Sequence, residues 1–286
     1  MVTITNGILS ARFNELGAEL KSLTCNGTEY IWPGDPAFWA GSAPILFPIC
    51  SGLLNDTYYL GGKEYRLQKH GYGRFCTFGV EAQSDTSVTF ILHSDEESKK
   101  SFPFDYTLRI TYTLEGKTLQ VRYDTENRSA HTMYFSIGAH EGFYCPEGIE
   151  EYDILLPAPE TLDTCVLKGS VLGKDTQRIL ENQDILPLKY DYFSVDALIF
   201  KNLQARSMIL RHRNSQKALR LSFPGHEYFL IWSKKDAPFV CLEPWCGITD
   251  SVDTNQNIET KEGIRAVAPG AHYVCAHSIE ILTPAK

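Results

Sequence analysis

A chain of 286 residues, 43% hydrophobic and 22% charged, is long enough to bury a substantial core. Its formal net charge of −8, with no dense Lys/Arg stripe, excludes a binder of the nucleic-acid backbone, though not of one small phosphorylated ligand. No apolar run reaches transmembrane length, and Met1-Val2-Thr3-Ile4-Thr5 has neither the basic nor the apolar region of a signal peptide, so no membrane partner is expected. Cys25, Cys50, Cys76, Cys145, Cys165, Cys241, Cys246 and Cys275 form no CxxC pair and no zinc-finger spacing with histidine. Free thiols in a reducing cytoplasm and no structural metal are the expectation.

The opening half reads as β. Asn6-Gly7 supplies a turn between Val2–Thr5 and Ile8–Phe13, and Asn26-Gly27 supplies another after Ala18–Leu23. Ser87–Leu92 is a short β-rich run. Tyr106–Leu114 alternates at period two, turns at Glu115-Gly116-Lys117, and alternates again over Leu119–Tyr123. The stretch from Glu160 to Gln183 is polar and irregular and reads as a long surface excursion. Strand signals resume at Ala197–Phe200, Ser207–Leu210, Ala218–Phe223 and Tyr228–Trp232, and the last is near Ser278–Leu282. No segment keeps a 3.6 period over a normal helix length, and neither a repeat nor a linker interrupts the chain. The expected architecture is all-β: one domain spanning 1–286, a large antiparallel β-sandwich.

Four polar islands stand against this background. Ala43-Pro44-Ile45-Leu46-Phe47-Pro48-Ile49 carries two prolines and reads as an extended loop covering the core. In His70-Gly71-Tyr72-Gly73-Arg74 the glycines permit close backbone approach, while His70 and Arg74 offer a titratable group and a planar cation; a solvated loop is the plainer alternative. Ser136-Ile137-Gly138-Ala139-His140-Glu141-Gly142-Phe143-Tyr144 brackets a histidine with small residues, although a single histidine is more often structural. Val240-Cys241-Leu242-Glu243-Pro244-Trp245-Cys246-Gly247 sets one carboxylate in an apolar run, costly to desolvate unless it is partnered or usefully perturbed. Asp250 follows closely. Asp196, ahead of Ala197–Phe200, could equally cap a strand.

No Gly-x-Ser-x-Gly, phosphate loop or dinucleotide fingerprint occurs. A metal held by His70, His140 and Glu243 is conceivable from residue types alone, without helical spacing to support it. Glu243 with Asp196 or Asp250 could form a glycosidase pair, but nothing in sequence fixes their separation.

Taken together, Leu46-Phe47-Pro48-Ile49, His70-Gly71-Tyr72-Gly73-Arg74, Gly138-Ala139-His140, Val195-Asp196-Ala197-Leu198 and Leu242-Glu243-Pro244-Trp245, with Gly247 and Asp250, resemble the aldose 1-epimerase (galactose mutarotase-like) superfamily and its LacX-type bacterial branch. The resemblance covers nearly the whole chain. It implies a galactose mutarotase-like sandwich with an open sugar cleft and no cofactor. It makes Glu243 the general base and His140 the general acid, with His70, Arg74, Asp196 and Trp245 as binding residues. The implied reaction interconverts α and β anomers of a hexose or hexose phosphate; Lys69 and Arg74 could host a phosphate. Trp245, Phe143 or Tyr72 could supply a stacking face.

Two departures bear on this. Many LacX-type sequences carry an arginine shortly after the Phe-Pro-Ile element, where this chain has Cys50-Ser51-Gly52-Leu53, so one sugar or phosphate contact would be missing at Gly52. Glu141 follows the acid histidine where relatives often have proline, and a second carboxylate there would raise the His140 pKa. A carbohydrate-binding or sensing protein without catalysis is the rival reading. The oligomeric state is open.

Overall fold

A computed structural model describes residues 1–215 and 217–282. The alternating segments become neighbouring inner strands of a nine-stranded antiparallel sheet. Tyr106–Glu115 and Thr118–Asn127 pair in strict register from Asn127↔Tyr106 to Thr118↔Glu115, and His272–Leu282 pairs with the other edge of Thr118–Asn127. Along Thr118–Asn127 every second side chain is buried, as a sheet with one solvated face requires. Glu115 and Thr118 are joined across Gly116, whose φ of 58° suits a residue without Cβ. At another expected turn, Asn26 and Gly27 both have positive φ, the geometry of a two-residue hairpin between Leu20–Cys25 and Thr28–Glu29.

The second layer is smaller. Phe239–Cys246 is flanked by Tyr228–Trp232 on one side and by Ile137–Gly138 followed by Glu141–Tyr144 on the other; Leu198–Phe200 pairs beyond Tyr228–Trp232. Every residue of Phe239–Cys246 is buried, so this strand lies between the core and a covered face. No helix among the described residues is long and apolar enough to cross a membrane.

One expectation fails. The polar stretch 160–183 is not an irregular excursion: Tyr152–Lys168 and Val171–Pro187 form a hairpin of two 17-residue strands at the edge of the large sheet, turning at Gly169-Ser170. Four register shifts break its pairing, so the period-two pattern that marks a strand is lost. Residues 174–178 and 181–185 are exposed one after another, which leaves no alternation to read from sequence there.

The proline-containing segment 43–49 also does more than cover the core. Leu46 exchanges both backbone hydrogen bonds with Gly138, at 3.0 and 3.1 Å, while Phe47 donates to the His70 carbonyl and accepts from Tyr72 and Gly73 N–H. It therefore pins the His70 loop against the small sheet. A Cβ on Gly71, at φ 66°, would stand 2.2 Å from the Phe47 carbonyl oxygen, so this junction requires glycine.

Candidate functional site

Cross-strand register brings the two acid–base candidates together. Gly138 pairs with Trp245 and Glu141 with Leu242, so His140 stands directly opposite Glu243. Pro244 has no N–H and interrupts the ladder there, but the Ala139 N–H still donates to its carbonyl at 3.1 Å. Directly opposed residues share a face. His140 Nε2 lies 3.4 Å from Glu243 Oε1.

Alternation along the strand then decides who shares this face. Glu243 and Trp245 look into a cleft of about 790 Å³ also lined by Trp39, Lys69, His70, Arg74, His140, Asp196, Leu230, Trp232, Lys234 and Lys235. All six residues expected at the site, Glu243, His140, His70, Arg74, Asp196 and Trp245, therefore line one cavity. Trp245 is nearly all buried, donates Nε1–H to the Ala139 carbonyl at 3.1 Å, and packs on Gly138, where a Cβ would meet its ring at 2.6 Å. It supports the floor. The half-exposed aromatic walls are Trp39 and Trp232, with ring centroids 5.1 and 5.8 Å from His140. Neither carries a motif; Trp39 sits in a loop and Trp232 at a strand end, and only long-range pairing aims them at His140. Phe143 and Tyr72 are core instead: Phe143 is fully buried, and the Tyr72 hydroxyl pairs with that of Tyr106 at 3.2 Å.

The neighbouring residue faces the other way. Glu141 points into the space between the sheets and pairs with His277 at 2.8 Å, so it does not raise the His140 pKa. Burial pushes His140 down to about 3. The same desolvation holds Glu243 well above the usual carboxylate range, against the pull of Lys69. His70 is likewise depressed, by burial first and then by His140. Its Nδ1 accepts the Ser51 N–H at 3.1 Å, which places its proton on Nε2.

Asp250 is not a second cleft carboxylate. It is buried against Lys261 at 2.9 Å and accepts the Leu54 N–H at 2.9 Å, so a glycosidase pair with Glu243 is excluded. Asp196 sits at the rim, accepting the Ala197 N–H at 2.8 Å and facing Lys69 at 3.7 Å. Gly52 lies under the hairpin end, where a Cβ would stand 3.1 Å from the Ser170 carbonyl. The cations of the cleft are Lys69, Arg74, Lys234 and Lys235. The donors that could jointly hold a metal here are His140, Cys241 and Glu243, within 4.8 Å of one another; His70 is not among them.

The chain is thus a two-layer antiparallel sandwich with a buried imidazole–carboxyl pair at the floor of an aromatic-walled cleft. The model of the family Aldose 1-epimerase matches residues 1–275, and the chain belongs to that family. It is 35% identical over 283 residues to protein LacX (plasmid) of Lactococcus lactis subsp. lactis, covering 94% of this chain and 95% of the relative. Among solved structures, a galactose mutarotase related enzyme of Lactobacillus acidophilus matches with a TM-score of 0.93 at 31% identity over 99% of this chain and 97% of its own. A galactose mutarotase-like protein of Lactobacillus casei also gives 0.93, at 33% identity over 99% and 100%.

Proposed function

We propose that the chain is a cofactor-independent aldose 1-epimerase that exchanges the anomers of a hexose or hexose phosphate. The observation that carries this reading is the His140–Glu243 contact of 3.4 Å on the floor of the cleft. Glu243 takes the proton of the C1 hydroxyl and His140 delivers one to the ring oxygen. The C1–O5 bond opens, the C1–C2 bond of the aldehyde rotates, and closure on the other face runs the same transfers in reverse. No electron acceptor is needed, and no proton is gained or lost overall.

The perturbed acidities fit this proton count. A neutral pair of carboxylic acid and imidazole carries one mobile proton, as does carboxylate with imidazolium. Desolvation favours the neutral form in the empty cleft, and hydrogen bonds from sugar hydroxyls to the carboxylate favour the ionic one. His70 Nε2–H offers a donor to a sugar oxygen. Trp39 and Trp232 offer flat faces to ring C–H groups. Arg74, Lys69 and Asp196 complete the rim, where four cations against the two acids Asp196 and Glu243 leave room for a phosphorylated sugar. Eight free cysteines support a reducing compartment, the cytoplasm.

Exchange spectroscopy of anomeric protons tests the proposal on glucose, galactose and their 6-phosphates. Accelerated exchange on one of them is expected. Binding by calorimetry without exchange on the bound sugar would instead make the protein a carbohydrate binder.

The pH profile follows from the shifts. Acid adds a second proton to the pair only on descending to about 3, where His140 charges. Alkali removes the single proton only above the raised Glu243 value. Between these limits the count stays at one, so the acid limb of kcat/KM should lie near pH 3, and His140 should add no limb at the ordinary histidine value of ~6.5. A limb at that pH in a kcat/KM series would show His140 titrating as a solvated, independent group.

A further inference from the structure

On the face of Phe239–Cys246 turned away from the cleft, three buried donors converge. Cys246 ends that strand, Cys275 lies on His272–Leu282 of the large sheet, and His226 lies in the connection between Ala218–Ser222 and Tyr228–Trp232. One ligand atom from each, two thiol sulfurs and a ring nitrogen, stands within 4.8 Å of the others. His226 is 2% exposed, and neither of its ring nitrogens has a hydrogen-bond partner. Core packing accounts for two small apolar thiols. It does not account for the imidazole: a buried ring with both nitrogens unpaired carries a desolvation cost that an apolar side chain would avoid.

We propose that His226, Cys246 and Cys275 bind one thiophilic d10 cation, zinc(II) or copper(I), at a site separate from the sugar cleft. Thiolate sulfur selects these ions, and imidazole suits both. Metal–sulfur bonds of about 2.3 Å and metal–nitrogen bonds of about 2.0 Å put the donors of a trigonal site roughly 4 Å apart, so these side chains close by less than about 1 Å. Three protein donors sealed from solvent match copper(I). Zinc requires a fourth donor, and the candidate is His277, whose Nδ1 has no partner and whose ring lies 6.1 Å from that of His226. A bound ion would tie together both sheets and the strand that carries Glu243.

The test uses the full chain, purified reduced and without air, stripped by chelator, and titrated with zinc(II) and separately with copper(I) against competing colorimetric chelators. One equivalent of one ion is expected. Its X-ray absorption spectrum should show two sulfurs with one nitrogen for copper(I), or with two nitrogens for zinc. At a hundredfold excess over Kd the Tm should rise by about 5 °C. Cys246→Ser and Cys275→Ser should each weaken binding at least ~100-fold, while Cys145→Ser leaves it unchanged. The wild-type spectrum decides the matter even if a serine variant does not fold. Failure to bind either ion, a spectrum without sulfur, or a Cys246–Cys275 disulfide in the air-free protein would overturn the proposal. Binding that survives both serine variants but is lost in Cys241→Ser would place the ion in the cleft and also overturn it. None of these outcomes depends on anomer exchange.

Discussion

Glu243→Gln is expected to lower kcat for anomer exchange by roughly 10²–10⁴-fold while leaving the fold and its melting temperature nearly unchanged. The amide has the size and neutral charge of the protonated carboxyl that burial favours, so the variant meets no new desolvation cost. It cannot accept and return a proton. The loss should fall on kcat more than on KM, because the proposed binding contacts, His70, Trp39, Trp232 and the cationic rim, are left in place. In the proposed mechanism His140 and Glu243 exchange one proton as a unit, so adding His140→Gln should cost little beyond the worse single variant. Exchange spectroscopy beside thermal melting checks both halves. Near-wild-type turnover in Glu243→Gln would remove the carboxylate from the mechanism.

The elements with a solvated face were legible in sequence because burial imposes period two on them. Thr118–Asn127 and Tyr106–Glu115 are the plain cases. The hairpin Tyr152–Lys168/Val171–Pro187 was not, since bulges and runs of consecutive exposed residues erase that period. At the site, short motifs around His70, His140, Asp196 and Glu243 marked loops and strands that the fold brings to one cavity, as the resemblance they carry implies. What no local pattern holds is which strands meet. The pairing of Gly138 with Trp245 sets His140 against Glu243, and the same alternation turns Glu141 inward to His277. A carboxylate next in sequence to a cleft histidine is thus removed from it by the pleat. The place of Asp250 was left open for a related reason: its partner Lys261 lies in a later turn, and only the folded chain shows the charge neutralised. Trp39, Trp232 and His226 draw their significance from neighbours distant in sequence.

That buried pair carries the largest stability effect expected of a single substitution. Lys261 Nζ lies 2.9 Å from Asp250 Oδ1 and donates to the Ile248 carbonyl at 2.7 Å, with side-chain exposures of 4% and 2% for Lys261 and Asp250. Asp250 Oδ2 accepts the Leu54 N–H, and its own N–H donates to the Gly52 carbonyl. Lys261→Met keeps the stem volume but strands a carboxylate among buried groups, and should cost about 3–5 kcal/mol, seen as a fall in Tm of about 5–8 °C. Adding Asp250→Asn should recover part of this, because the amide oxygen still accepts from Leu54 and no charge remains unpaired. The same variants report on the site. The segment Asp250 holds leads back to Ser51, whose N–H fixes the proton of His70 on Nε2. A Lys261→Met protein that remains folded should therefore show a raised KM with kcat less affected, as His70 loses its fixed orientation. Denaturant titration of the single and double variants supplies the energies. A single-variant loss under about 1 kcal/mol would mean that water reaches Asp250 and that the pair is worth no more than a surface ion pair.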